Sequence, residues 1–170
     1  LGKNPFDMFD SKSRRVSGPF GTGTAAIWDL IGRINNKPIH KLLGGNGARK
    51  VPVYDGSIYF ADLLPNQAAR WKDRFREELD MGFEAGHKAF KVKVGRGSKW
   101  MDRKKGDARD IEVLSTIRKH AGLGVLIGID ANNGYDLAGA KRLLGAVGEL
   151  DIAFAEEMFS ETVEHCLEFK

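Results

Sequence analysis

The chain has 170 residues, of which 42% are apolar and 29% are charged, a composition that excludes a disordered chain. Residues 1–50 carry 9 basic and 3 acidic side chains, whereas residues 131–170 carry 3 basic and 8 acidic ones. We interpret the basic start as a solvated surface with no nucleic-acid partner. No apolar run approaches the ~20 residues that cross a bilayer, which excludes a membrane span. Cys166 is the only cysteine, which excludes an internal disulfide and favours the cytoplasm.

The first predicted elements are a loop and two helices. Residues 1–21 are polar and rich in Gly and Pro, which is typical of a loop. Thr22 or Thr24 can cap a helix whose apolar residues recur with helical spacing, at Ile27, Leu30, Ile31 and Ile34. Pro38 blocks the continuation of this helix, and a second, short helix over 39–43 ends at two glycines.

From residue 51 onward, β-rich and amphipathic segments alternate. Four strands are predicted, over 51–60, 89–94, 125–130 and 151–156. Helices follow them, capped by Asn66, Asp107 and Asp136, and a last helix begins near Glu161. Repeated β/α units imply parallel strands joined by helices, either in a doubly wound sheet or in part of a (β/α)8 barrel. We therefore expect residues 1–50 and residues 51–170 to be separate parts of the fold.

Two lysines interrupt the apolar second strand. Lys91 and Lys93 are two residues apart, so both side chains point to the same face. Burial of two ammonium groups is costly, and the alternative is a strand end that reaches water, with the lysine stems covering apolar surface. The next two strands also end in acidic residues, at Asp130 and at Glu156 and Glu157, each of which alone is equally explained as a helix cap or a loop residue.

Taken together, these residues indicate a site. The carboxyl ends of parallel strands meet at one edge of a sheet, where α/β proteins carry their active sites. Carboxylates that converge there suit Mg²⁺, which prefers oxygen ligands. A lysine beside that cation and a second ammonium should have a lowered pKa, toward the value of ~7–8 that suits a general base. Lysine, carboxylates and Mg²⁺ together indicate abstraction of a proton α to a carboxylate, with the metal stabilising the enediolate.

Five segments of the chain carry a family resemblance: AIWDLIGRINNKPIHKLLGG, FKVKVGRG, GDARDIEVLSTIR, IDANNGY and FAEEMF. In this order and spacing the sequence resembles the mandelate racemase/muconate lactonizing enzyme branch of the enolase superfamily. The resemblance implies an α/β fold that is a partial (β/α)8 TIM-type barrel of about four β/α units, preceded by helices from the end of an N-terminal capping domain in residues 1–50. Met158 departs from the family, where a proline is usual, and the strand that would carry a third metal ligand lies beyond Lys170. We therefore expect the chain to be a piece of a longer protein.

The resemblance also implies roles for individual residues. Lys93 looks like the general base, and Lys91 would tune it and help to hold the substrate carboxylate. Asp130 looks like the first metal ligand and Glu156 like the second, with Glu157 in its place if the register differs by one.

Other positions near the strand ends are less specific. By the resemblance, Asn132 matches a polar position beside the metal that often contacts substrate. Tyr59, near the end of the first strand, either faces the site or packs in the core. The basic loop over 95–106 either is solvated or meets an anionic substrate or another subunit.

The resemblance implies that the parent protein is a Mg²⁺-dependent enzyme, an acid-sugar dehydratase that acts on a small carboxylate substrate. A racemase or epimerase, or a cycloisomerase, of the same family is the alternative. From another class, the chain is an inactive fragment or a non-enzymatic α/β binding module. The two open edges of a four-stranded sheet invite pairing with another chain, so we expect a homo-oligomer.

Overall fold

The computed structural model describes residues 9–10, 15–16, 24–47, 50–160 and 162–169. The chain divides into two compact units, Leu1–Val51 and Pro52–Lys170. The origin of residues 1–50 in a capping domain stays a prediction. None of the helices that the structure describes has both the length and the apolar character of a membrane-crossing helix.

The described part of the first unit holds a strand pair and two helices. β1 (Phe9–Asp10) and β2 (Arg15–Val16) pair antiparallel. The predicted loop over 1–21 is wrong at these residues, because strands of two residues show no alternating pattern in the sequence. The helices that follow are α1 (Thr24–Ile34) and α2 (Ile39–Leu42), close to the predicted bounds.

The start and the buried face of α1 differ from the prediction. The helix includes Thr24, one of the two predicted caps, as its first residue, and Thr22 lies outside the described residues. Of the predicted apolar face, Ile31 is buried, whereas Leu30 and Ile34 are exposed. The helix therefore buries a narrower stripe than its sequence periodicity predicts.

The second unit repeats a strand and a helix four times. Its elements are, in chain order, β3 (Asp55–Ile58), α3 (Trp71–Glu84), β4 (Ala89–Lys93), α4 (Arg103–Ala121), β5 (Leu126–Asp130), α5 (Leu137–Ala146), β6 (Ile152–Glu156) and α6 (Val163–Phe169). The strands are parallel and lie in the order β3–β4–β5–β6, which confirms the predicted α/β fold of four β/α units. Among the described residues β3 and β6 each have a neighbour on one side only, and self-association through these edges stays a prediction.

One face of the sheet packs against the helices and forms the core. In β4, Phe90 and Val92 point to this face and are fully buried. Because alternate residues of a strand point to opposite sides, Lys91 and Lys93 lie on the other face, and β5 ends on that same face at Asp130. Helix residues that complete the core are Phe75, Leu79, Leu114, Ile117, Ala140 and Leu143. The packing of the helices thus leaves the lysine-bearing face free for a site.

α3 begins later than predicted. The sequence predicts its start near Asn66, but the helix begins at Trp71. Residues 64–69 form a separate turn, closed by a hydrogen bond from the Gln67 N–H to the Leu64 carbonyl at 2.8 Å. Asn66 therefore lies in a turn, the other setting that its short polar side chain favours.

α4 begins earlier than predicted. Asp102 precedes the helix, and its side chain accepts a hydrogen bond from the Lys105 N–H, so the predicted cap, Asp107, lies inside the helix. The predicted cap of α5 is confirmed, since Asp136 accepts a hydrogen bond from the Gly139 N–H at 2.6 Å. Two aspartates in the segment before the apolar residues of α4 offer the same capping chemistry, so spacing alone does not select between them.

Gly106 lies in the first turns of α4, where the backbone of the preceding loop crosses the helix. A Cβ at this position would lie 2.3 Å from the Gly97 nitrogen and 2.5 Å from its Cα. Because both are backbone atoms, the loop must shift, and we expect Gly106→Ala to lower the free energy of unfolding by about 1–3 kcal/mol. The sign is opposite to the ordinary preference of a helix for alanine over glycine.

Gly145 in α5 is the matched control for this substitution. A Cβ added there would have nothing within 4 Å, so Gly145→Ala should raise the free energy of unfolding by roughly 0.5–1 kcal/mol. Urea unfolding followed by circular dichroism measures both variants. A gain of stability in Gly106→Ala as well would contradict the close packing of loop and helix.

Candidate active site

The strand register aligns polar residues of three strands in one row. Lys93 pairs with Asp130, and Asp130 pairs with Glu156, at the carboxyl ends of β4, β5 and β6. Residues paired in register on neighbouring strands point to the same face of a sheet. The structure thus brings three of the predicted site residues together at one edge.

The central carboxylate of this row belongs to Asp130, which is 2% exposed. Its Oδ2 accepts hydrogen bonds from Lys93 Nζ at 2.7 Å and from Lys91 Nζ at 2.9 Å. Lys91 Nζ also donates to Glu156 Oε2 at 3.0 Å. Two ammonium groups and two carboxylates therefore form one connected cluster.

The charges of the cluster shift the pKa values of its members. Burial acts to raise the pKa of Asp130, but hydrogen bonds from Lys93 and Lys91 outweigh it and hold that pKa below its ordinary value. The hydrogen bond to Asp130 raises the pKa of Lys91. Burial acts to lower this pKa, but the second hydrogen bond, to Glu156, raises it further, so the net shift is upward. The pKa of Lys91 is raised because two carboxylates contact its ammonium directly. The lowered pKa expected of a basic lysine beside Mg²⁺ stays a prediction.

A second row lies one step back along the strands, where Lys91 pairs with Gly128. Gly128 pairs in turn with Phe154. A Cβ at Gly128 would lie 2.1 Å from the Phe154 ring, so glycine allows the ring to lie across β5. The ring also contacts Tyr54, with a centroid distance of 5.6 Å. Gly128 was not among the predicted site residues, although a glycine inside an apolar strand indicates the close approach of another group.

Asn132 and Glu157 hold the loops that follow β5 and β6. The Asn132 N–H donates to Asp130 Oδ1 at 3.0 Å, and its side-chain amide donates to Glu157 Oε2 at 2.6 Å. Both residues have a left-handed backbone, with φ of 43° and 44°. Because Asp130 pairs in register with Glu156, it is Glu156 and not Glu157 that shares its row. The role of Asn132 as a substrate contact stays a prediction.

A cavity of about 90 Å³ adjoins Lys93, lined among others by Tyr59, Ser98, Lys99 and Trp100. The Tyr59 ring centre lies 5.6 Å from Lys93 Nζ, so Tyr59 faces the site, one of the two settings that the sequence left open. Half of the Tyr59 surface is exposed, at 54%. The cavity thus offers space beside the lysine for a small molecule.

The basic loop over 95–106 is not uniformly solvated. Lys99 and Trp100 are exposed beside the cavity, but Arg96 is 0% exposed and pairs with Asp62 and Asp110. The expectation of a solvated loop is wrong for Arg96, because carboxylates from two other segments neutralise its charge in the interior. The three members of this group are far apart in the chain, so no local sequence pattern indicates that they meet.

The donor set of the cluster suits a hard cation. Asp130 and Glu156 each place an oxygen about one hydrogen-bond length from the same positive group, Lys91 Nζ. Carboxylate oxygens are what Mg²⁺ prefers, and Mg²⁺ usually retains several waters. No group of three or more His, Cys, Asp or Glu within the described ranges is arranged to hold a metal ion. The two carboxylates therefore fit part of a Mg²⁺ coordination shell.

The chain is similar to known enzymes along most of its length. The family model described as Enolase C-terminal domain-like matches residues 74–169. Arabinonate dehydratase from Saccharolobus solfataricus is 34% identical over 149 residues, which are 88% of this chain and 36% of that protein. Further relatives are named as a racemase and as cycloisomerases. The resemblance that the sequence motifs indicate is confirmed.

Solved structures give the same result. Galacturonate dehydratase from Geobacillus sp., complexed with D-galacturonate and 5-keto-4-deoxy-D-galacturonate, is 32% identical with a TM-score of 0.73, over 99% of this chain and 44% of that chain. A mandelate racemase/muconate lactonizing protein from Geobacillus sp. Y412MC10, complexed with magnesium/tartrate, is 32% identical with a TM-score of 0.72, over 99% and 45%. The chain thus spans less than half the length of these relatives, and the predicted partial (β/α)8 barrel is confirmed.

Proposed function

Because this chain belongs to the Enolase C-terminal domain-like family, we propose that the whole protein is an acid-sugar dehydratase that abstracts a proton α to a carboxylate. The observation that carries the proposal is the row of Lys93, Asp130 and Glu156 at the ends of three parallel strands, with Lys91 bound between the two carboxylates. Dehydration is proposed ahead of racemisation because two of the relatives, arabinonate dehydratase and galacturonate dehydratase, are named as dehydratases of acid sugars.

Lys93 is the proposed base. The residue is 8% exposed, its ammonium contacts Asp130 Oδ2, and it lines the cavity beside the strand ends. As the free amine, Nζ would take the α-proton, and the electron pair of the C–H bond would move onto the substrate carboxylate. Return of that pair would break the bond to the β-hydroxyl, which would take the proton now held by Lys93 Nζ and leave as water. The product is the enol of a 2-keto-3-deoxy acid, and Lys93 is again the free amine.

Lys91 has a different proposed part. Hydrogen bonds to Asp130 and Glu156 keep its pKa raised, so it stays cationic and is a poor base at neutral pH. A fixed positive charge there favours binding of the substrate carboxylate. The two lysines of one strand would therefore divide the work between charge and proton transfer.

Mg²⁺ is the proposed cofactor, held in part by Asp130 and Glu156. Bound there, it would supply positive charge that stabilises the negative charge developing on the substrate carboxylate. Asp130 is prepared for this part, since its pKa is lowered and the Asn132 N–H fixes its second oxygen.

The test uses the whole protein, aldonic and aldaric acids, and Mg²⁺ in deuterium oxide. Proton NMR is expected to show loss of the α-proton signal and formation of a 3-deoxy-2-keto acid from at least one substrate. A chelator should stop both, and added Mg²⁺ should restore them. Exchange without loss of water would favour a racemase or epimerase, and the absence of exchange with every acid would contradict the proposal.

A further inference from the structure

Arg96 is a fully buried cation beneath the candidate active site, with 0% of its surface exposed. Its Nε and Nη2 donate to the two oxygens of Asp62 at 2.8 and 2.7 Å, the parallel geometry that guanidinium and carboxylate groups favour. Its Nη1 donates to Asp110 Oδ1 at 2.6 Å. The guanidinium therefore joins two carboxylates that are 48 residues apart in the chain.

The same side chain holds the backbone that follows the proposed base. Arg96 Nη1 donates to the Lys93 carbonyl at 3.1 Å. The backbone N–H groups of Gly95 and Arg96 donate to Asp110 Oδ2 at 2.9 and 3.2 Å. Gly95 has a φ of 94°, and a Cβ there would lie 2.9 Å from the Ala131 carbonyl, so the chain turns directly against the loop that follows β5.

Three loops meet at this network. Asp62 lies in the short 3-10 helix Ala61–Leu63 that follows β3. Arg96 follows β4, and Tyr135, which follows β5, donates its hydroxyl to Asp110. One buried network thus connects the loops after the first three strands of the sheet, all on the side where the site lies.

A network of this kind is a poor means of stabilising a fold. Buried ion pairs are often replaced by apolar residues without loss of stability, because desolvation of the charges offsets their attraction. What charge-assisted, bidentate contacts supply is fixed geometry. Arg96 makes one of these contacts with the carbonyl of Lys93, the proposed base. The fixed geometry therefore bears on the position of the base in the reaction.

We propose that Arg96 is a positioning residue, which sets the backbone from Lys93 to Arg96 and so aims Lys93 Nζ at the α-proton. This inference rests on the proposed function. Proton transfer requires reacting atoms within a narrow range, and a misplacement of about 1 Å costs roughly 10²-fold in rate. Among the described residues, the Arg96 guanidinium contacts the Lys93 carbonyl but neither Asp130 nor Glu156, so we expect the network to act on the base and to leave the carboxylates in place.

The test compares Arg96→Lys with Arg109→Lys in the whole protein. Arg109 also contacts Asp62, at 3.5 Å, and is partly exposed, and no contact joins it to the backbone of 93–96 among the described residues. Lysine keeps the charge in both variants but loses the fork of the guanidinium. For Arg96→Lys we expect kcat of α-proton exchange to fall roughly 10- to 100-fold, with KM and the Mg²⁺ dissociation constant nearly unchanged. For Arg109→Lys all three values should stay near those of the unsubstituted protein.

Each outcome separates the inference from the proposed function. Failure of the unsubstituted protein to exchange the α-proton would overturn the proposed function. An active protein in which Arg96→Lys matches Arg109→Lys in kcat, or loses kcat, substrate affinity and Mg²⁺ affinity together, would overturn the inference. If Arg96→Lys does not fold, Asp62→Asn takes its place, since it weakens one end of the guanidinium contact. A several-fold loss of kcat at constant KM supports the inference there, and an unchanged kcat overturns it.

Discussion

Replacing Lys93 with alanine is expected to lower the rate of α-proton exchange by about 10²–10⁴-fold, the range attributed to general acid–base groups. Lys93 Nζ contacts Asp130 and adjoins the cavity, and no other lysine lies in that row of paired residues. The measurement is the loss of the α-proton signal in deuterium oxide by NMR, with the whole protein, Mg²⁺ and the substrate that supports turnover.

Lys88 provides the matched control for Lys93. It is exposed and precedes the same strand at the opposite end, away from the row that contains Asp130. Lys88→Ala should exchange the α-proton at nearly the rate of the unsubstituted protein. Lys91→Ala should retain exchange but need more substrate, because a cation near the substrate carboxylate is lost. If Lys93→Ala exchanges the α-proton at an undiminished rate and Lys91→Ala loses exchange, then Lys91 and not Lys93 is the base.

The site row could be predicted from the sequence because it depends on local rules. Alternation within a strand decides that Lys91 and Lys93 share a face. Parallel β/α units decide that Lys93, Asp130 and Glu156 end at one edge. Neither step needs knowledge of distant contacts, so both hold once the strands are identified.

Other features depend on contacts that no local pattern reveals. Arg96 lies in a loop with the composition of a solvated segment, and it is buried only because Asp62 and Asp110 meet it in the interior. The raised pKa of Lys91 likewise depends on the register of β5 and β6, which brings two carboxylates to its ammonium. In each case the missing information is a pairing of charges across the fold.

The helix starts show an intermediate case. Asp102 and Asp107 have equal capping chemistry, and the loop that follows β4 decides between them, because its backbone must pass close to Gly106. A start at Asp107 would place Gly106 outside the helix and remove this close approach. Tertiary packing therefore selects among caps that local propensity leaves equivalent.

The largest expected effect on stability follows from Asp110→Ala, which should lower the free energy of unfolding by about 3–5 kcal/mol, the cost of removing one partner of a buried ion pair. Asp110 accepts hydrogen bonds from the Arg96 side chain, from the backbone N–H groups of Gly95 and Arg96, and from the Tyr135 hydroxyl. Alanine would leave all of these donors without that acceptor in a site closed to water. Such a loss is a large share of the ~5–15 kcal/mol that stabilises a typical domain.

Asp107, three residues earlier in α4, is the control for Asp110. Burial raises its pKa, and among the residues that the structure describes its buried Oδ1 has no hydrogen-bond partner and lies 3.8 Å from Arg103 Nη1. A raised pKa in the folded state means that ionisation opposes folding, so Asp107→Ala should be neutral or stabilising at pH 7. The advantage should fade as the pH falls through the raised pKa of the folded state, and it should be absent below the ordinary aspartate pKa of about 3.9, where the carboxyl is protonated in both states. Urea unfolding of both variants at pH 7 measures the contrast, and equal losses at the two positions would show that the carboxylate of Asp110 has no special part in holding the loops together.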